Sequence, residues 1–129
     1  MKNAIVSLLL LLMVTQYVTA QKKVIKIACI GNSITYGVGT RNPAKDSYPA
    51  VLGQMLGDGY EVRNFGVSAR TMLMKGDHPY MKEERYRQAL AYNPDIVTIK
   101  LGTNDTKARF GVSPACIALG MKRLVRKAQ

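Results

Sequence analysis

Beyond its first twenty residues the chain alternates short apolar runs with amphipathic stretches, and glycine or proline closes each of them. Val24 to Ile30 is β-branched and apolar apart from Lys26, and it stops at Gly31, which predicts a mostly buried strand. Pro49 suits the first turn of a helix in which Val51, Leu52, Met55 and Leu56 share a face, with Gly57 and Gly59 ending it. Tyr60 to Phe65 alternates Tyr60, Val62 and Asn64 against Glu61, Arg63 and Phe65. This predicts a second strand near the sheet edge, where Glu61 and Arg63 can stay wet. His78 and Pro79 start a further helix with Tyr86, Ala89 and Leu90 at helical spacing, ending before Asn93 and Pro94. A third strand runs from Asp95 to Leu101 and is closed by Gly102.

Strand, helix, strand, helix, strand is the order of a parallel sheet with crossover helices, an α/β layered fold. No repeat or linker interrupts it. In such sheets reactive residues gather in the loops at the carboxyl ends of the strands. All three strands end in polar turns containing glycine: Gly31-Asn32-Ser33, Asn64-Phe65-Gly66 and Gly102-Thr103-Asn104-Asp105. A crevice built from these loops is the expected site.

The first twenty residues follow another pattern. Lys2 gives a positive start, Ile5 to Val14 an apolar run, and Val18-Thr19-Ala20 a small-residue cleavage site before Gln21. The run is shorter than the ~20 apolar residues of a membrane span and is broken by Thr15 and Gln16. A cleaved export signal over residues 1–20 is therefore expected, giving a secreted or periplasmic protein without a stable membrane span.

A length of 129 residues allows one domain, and 47% hydrophobic with 21% charged residues are globular proportions. Cys29 and Cys116 are too few for a disulfide framework and lack zinc-site spacing, and His78 alone cannot build an all-histidine metal site. Whether the two cysteines pair is left open by the sequence. The net charge of +11 raises the question of an anionic partner. Its distribution narrows that question: Gln21 to Asp105 holds twelve basic and eight acidic residues, whereas Thr106 to Gln129 holds six basic residues and no acid. Ser113 and Pro114 could open a basic amphipathic helix in that last segment. Three readings compete there: an ordinary crossover helix, an anionic-surface binder, or sequence foreign to the domain after a truncation or frame change near Thr106. The third is the expectation adopted.

Ser33 follows a buried strand in a tight turn, so its hydroxyl is pushed out at the sheet edge, although Gly-Asn-Ser alone is more often turn chemistry. The other loops supply what acyl transfer needs besides a nucleophile, namely donors for the oxygen on which charge develops. Gly66 can offer a backbone N–H, Asn104 a side-chain amide and Ser33 its own N–H; equally, Gly66 can merely permit a turn and Asn104 cap one.

Together these blocks resemble those of the SGNH hydrolases, also called the GDSL esterase/lipase family. Gly31 to Gly37 resembles the first block, Asn64 to Ser68 the second, and Gly102 to Asp105 the third, in the family's order. The resemblance covers roughly Lys23 to Thr106 and implies a three-layer α/β/α, flavodoxin-like parallel sheet. It implies Ser33 as nucleophile, and Gly66 and Asn104 as oxyanion donors with the Ser33 amide. It also implies a small-molecule or glycan ester substrate, such as a sugar acetate, with no cofactor and no metal. Asn32 stands where the family more often has aspartate, and either side chain can organise the turn. The family's late histidine, with an aspartate three residues before it, has no counterpart. His78 follows Asp77 directly and lies between the second and third blocks, so it reads as a helix-start or substrate-loop residue. The expectation is a partial SGNH hydrolase domain over residues 21–106, C-terminally incomplete, with a basic tail over 107–129, and at best weakly active because an unassisted serine hydroxyl is a poor nucleophile. The alternatives are a non-catalytic glycan-binding protein and a basic secreted protein bound to anionic surfaces or nucleic acid. Nucleic acid is not expected, because no stacking aromatic array or nucleic-acid motif accompanies the charge.

Overall fold

The computed structural model describes residues 23–106, 115, 116 and 118–121. The export signal read over residues 1–20 and most of the basic tail lie outside the described residues. Three strands form one parallel sheet: β1 (Ile25–Gly31), β2 (Tyr60–Gly66) and β3 (Ile96–Lys100), in the order β2-β1-β3. β1 pairs β2 from Ile25↔Tyr60 to Gly31↔Gly66, and pairs β3 from Ile27↔Ile96 to Gly31↔Lys100. The central position explains why the most apolar run became β1: Ile27 to Gly31 are all buried, whereas Tyr60 and Arg63 of the edge strand are exposed.

Between β1 and β2 come α1 (Ser33–Tyr36), α2 (Pro43–Asp46) and α3 (Tyr48–Leu56); between β2 and β3 come a 3-10 turn (Tyr80–Lys82) and α4 (Glu84–Ala91). Strand alternation divides the packing. Ala28 and Ile30 of β1 and Phe65 of β2 meet Tyr86, Ala89 and Tyr92 of the α4 side, with Tyr80, in one core. On the other face Asn64 of β2 reaches Ser47 and the backbone of α1, and Tyr48 shares a hydroxyl contact of 3.3 Å with Thr98 of β3.

Arg63 stays wet by lying across an aromatic ring, and Glu61 pairs with it there. The Arg63 guanidinium sits 4.4 Å from the Tyr92 ring centre and 2.6 Å from Glu61, and the Tyr92 hydroxyl donates to the Glu61 carbonyl. The Tyr80 hydroxyl donates to the Phe65 carbonyl at 2.6 Å, and burial holds that phenol well above its ordinary pKa.

Several boundaries differ from the sequence pattern. α4 begins at Glu84 rather than at His78. Thr71 donates its N–H to the His78 carbonyl and accepts from the Tyr80 N–H, so Pro79 is held extended against the loop after β2. β3 starts at Ile96 because Asp95 serves as a side-chain acceptor for the Lys26 N–H at the start of β1. On α3, Val51, Met55 and Leu56 are exposed, so the apolar stripe of that helix is not the buried face its spacing suggests. The short helices α1 and α2 carry no apolar periodicity; each is set by an asparagine cap, Asn32 and Asn42, that accepts an N–H two residues on. Cys29 is a free, buried thiol of β1 and Cys116 is exposed, so the two do not form a disulfide.

Candidate active site

The turn after β1 is built around Asn32. Its side-chain oxygen accepts the Ile34 N–H at 3.1 Å, its side-chain amide donates to Thr103 Oγ1 at 3.1 Å, and its backbone N–H donates to the Lys100 carbonyl at 3.2 Å. One buried residue thus caps α1 and ties the loop after β1 to the loop after β3. Gly31 permits the tightness, since a Cβ there would collide with the Thr35 hydroxyl and stand 2.8 Å from the Lys100 carbonyl. Ser33 is the first residue of α1, where a backbone N–H has no intrahelical acceptor. It is half-buried, and its hydroxyl has no hydrogen-bond partner among the described residues.

The loop after β3 holds the second candidate group. Asn104 donates one side-chain N–H to the Arg70 carbonyl at 2.9 Å, which leaves its other amide hydrogen available. Asp105 is buried and accepts the N–H groups of Met72 and Leu73 at 2.9 and 2.8 Å. Residues 103 to 105 therefore clamp both neighbouring loops: Thr103 meets Asn32, while Asn104 and Asp105 hold residues 70 to 73. Ser33 and Asn104 each follow directly on one partner of the Asn32–Thr103 bond.

Gly66 has a different duty from the one its position suggests. Its N–H donates to the side chain of Asn64 at 2.8 Å, and that side chain donates in turn to the Thr35 carbonyl at 2.8 Å. A Cβ on Gly66 would run into the Tyr36 nitrogen and stand 2.7 Å from the Thr35 carbonyl carbon. Gly66 lets β2 pass close beneath α1, and its N–H is engaged by the Asn64 side chain. The part of this loop that Asn104 touches lies further on, beside Ala69, a non-glycine residue held at φ 63°. Arg70 donates to Glu83 at 2.8 Å and to the Ser68 carbonyl at 3.1 Å, closing its side chain back over that turn.

His78 is exposed and contributes its backbone carbonyl to Thr71. It does not meet the Ser33 hydroxyl. Sequence reasoning missed Ala69, Arg70 and Asp105. Nothing marks an alanine for a left-handed conformation, while the aspartate beside Asn104 was the one available signal. Among the described residues no three of His, Cys, Asp and Glu gather as a metal site, and no helix is long and apolar enough to cross a membrane. A groove of about 810 Å³ runs along the outer edge of β2, from Tyr36 and Gly66 down to Tyr92, and Ser33 does not line it.

A parallel sheet with crossover helices, carrying Ser33 and Asn104 on neighbouring strand-end loops, matches the fold of the SGNH hydrolases. The chain belongs to the GDSL-like Lipase/Acylhydrolase family, whose profile matches residues 29–129. Its similarity to an acetylxylan esterase from Xylanibacter ruminicola is 65% identity over 83 residues, 64% of this chain and 17% of that protein. Among solved structures, the M. smegmatis aryl esterase is similar at TM-score 0.65 and 35% identity, covering 80% of this chain and 54% of that one. AlinE4, an SGNH-hydrolase family esterase, is similar at TM-score 0.60 and 26% identity, covering 81% and 53%. The chain thus spans about half the length of these solved relatives, and the architecture described is about half of their fold.

Proposed function

We propose that this protein is an exported carboxylic ester hydrolase for acyl groups, acetyl above all, carried on a carbohydrate. Family membership and the similarity to an acetylxylan esterase support the reaction and the substrate class. The observation that carries the assignment is the pair of bonds, Asn32 to Thr103 and Asn104 to the Arg70 carbonyl, that holds Ser33 and the Asn104 amide on neighbouring loops.

In the proposed step the Ser33 oxygen attacks the acyl carbonyl and gives up its proton. The carbonyl oxygen takes the negative charge, the sugar alcohol leaves with a proton, and water then cleaves the acyl-serine. The oxyanion is met by the Ser33 N–H and the second amide hydrogen of Asn104. The third donor comes not from Gly66 but from the backbone of the left-handed Ala69 turn, to which Asn104 is fastened. Donors held in place before reaction favour the developing charge more than the ground-state carbonyl. Proton removal from Ser33 is the weak link, because no imidazole meets its hydroxyl among the described residues. In serine proteases lacking a triad member, roughly 10³- to 10⁴-fold acceleration over water remains, and turnover of that reduced order is expected here.

The test is hydrolysis of an aryl acetate and of acetylated xylo-oligosaccharide by the purified chain, with fluorophosphonate labelling beside it. Slow turnover and labelling that both vanish in Ser33→Ala support the reading. Glycan binding without labelling would replace it with a non-catalytic carbohydrate binder. Export is supported by Lys2, the apolar run from Ile5 to Val14 and the Val18-Thr19-Ala20 site. It requires that the mass of the product found outside the cytoplasm correspond to a chain starting at Gln21.

A further inference from the structure

Arg70 is joined to the site at both of its ends. Its carbonyl oxygen accepts the Asn104 amide at 2.9 Å, while its guanidinium donates to Glu83 at 2.8 Å and to the Ser68 carbonyl at 3.1 Å. Between Ser68 and Arg70 lies Ala69 at φ 63°, a left-handed conformation that is strained for an alanine. Glu83 stands at the junction of the 3-10 turn and α4, a rigid point whose own N–H bonds to the Tyr80 carbonyl. The Arg70 and Glu83 side chains keep only 25% and 28% of their exposure, so their attraction is less screened than that of the exposed Arg63–Glu61 and Arg87–Glu84 pairs. Nothing in the packing of the core calls for an arginine at this position. Apart from the anchoring bond to Glu83, its bonds fall within one tripeptide and on Asn104, the residue that tripeptide holds.

We infer that Arg70, pinned by Glu83, is a positioning residue for the oxyanion site: its side chain locks the left-handed Ala69 turn, and the locked turn presents the Arg70 carbonyl that orients the Asn104 carboxamide. The oxyanion part of this inference rests on the esterase reading; the dependence of Asn104 on Arg70 does not. A planar guanidinium is suited to the task because it can hold a carboxylate and a carbonyl at once in a fixed fork, which a lysine ammonium does less rigidly.

Two measurements on the full chain test it. The first is the side-chain amide resonances of Asn104 and their solvent exchange, read in Arg70→Met, Arg70→Lys and Glu83→Gln. The second is the rate at which a fluorophosphonate labels Ser33 in the same proteins. In Arg70→Met the Asn104 resonances are expected to move and exchange faster while those of β1 stay in place, and labelling to slow by roughly 10- to 100-fold. Glu83→Gln should shift both readouts in the same direction by less, and Arg70→Lys should restore them in part. Should Arg70→Met not fold, Glu83→Gln carries the comparison. Unchanged Asn104 resonances in a folded variant lacking the pair overturn the inference, as does labelling at the wild-type rate. Absence of any labelling in the wild-type chain refutes the esterase reading and the oxyanion role with it, and the resonances still decide whether Arg70 holds Asn104.

Discussion

Single residues in this structure differ sharply in what they tolerate, and the reason is which atoms stand next to them. Asp105 is a buried carboxylate with two backbone N–H groups as partners, those of Met72 and Leu73. Asp105→Ala leaves both donors unsatisfied, and a loss of about 2–3 kcal/mol in urea unfolding is expected, with the loop over residues 70 to 73 losing amide protection first. Glycines divide in the same way. Gly66→Ala drives a Cβ into backbone of α1 that cannot move aside, so a cost of roughly 1–3 kcal/mol or more is expected. Gly59 has ordinary φ and open space around it, so Gly59→Ala should be neutral or slightly stabilising in the same assay. The paired measurement separates close approach from mere turn preference. Equal destabilisation by both substitutions would contradict the packing described for Gly66.

At the level of elements, the pattern of the chain specified the three strands, their parallel order and the edge position of β2, because burial on both faces writes itself into β1 as an uninterrupted apolar run. The start of α4 was not legible. Pro79 looks like a helix-opening residue, but the bonds of Thr71 to residues 78 and 80 hold it extended, and such a tertiary pairing has no local signature. The site was legible in the same uneven way. Ser33 and Asn104 stand out as candidates because each follows a strand and a glycine in a polar turn, where the core does not dictate the side chain. The bond that engages the Gly66 N–H was not legible, because its partner, Asn64, lies two residues away and looks like part of the strand pattern. Ala69 was invisible, since nothing local marks an alanine for a left-handed conformation and the Asn104 bond beside it comes from a distant loop. Among the described residues one buried side-chain polar atom has no hydrogen-bond partner, the Tyr86 hydroxyl in the α4 core. Tyr86→Phe removes that atom while leaving the edge-on contact with Tyr80 at 6.0 Å between ring centres. Stability is therefore expected to stay level or rise by up to about 1 kcal/mol, and a clear drop in thermal midpoint would show that the hydroxyl has a partner in solution.

For the molecule as a whole, the sheet is closed at the end opposite the site by charge rather than by packing. Asp95, just before β3, takes the Lys23 ammonium at 2.6 Å and the Lys26 N–H at 2.9 Å, so one carboxylate ties the start of β3 to the start of β1. The Lys23 bond first, and then the backbone N–H, hold the Asp95 carboxyl below its ordinary value. A carboxyl whose pKa is lower folded than unfolded stabilises the fold at every pH above its unfolded value, near 4, and that contribution is lost as the pH falls through the lowered folded value. Wild type and Asp95→Asn should therefore differ by a constant amount from neutrality down to about pH 5 and converge on the acid side of about pH 4. Because the lysine partner is exposed, 1 M salt should shrink the part of the difference due to Lys23 and leave the part due to the Lys26 amide. Urea midpoints measured across that range at both ionic strengths make the comparison. A difference that shows no narrowing as the pH falls below about 4 would mean that Asp95 acts through its shape and hydrogen bond and not through its charge, and the start of β3 would then be held to β1 by geometry alone.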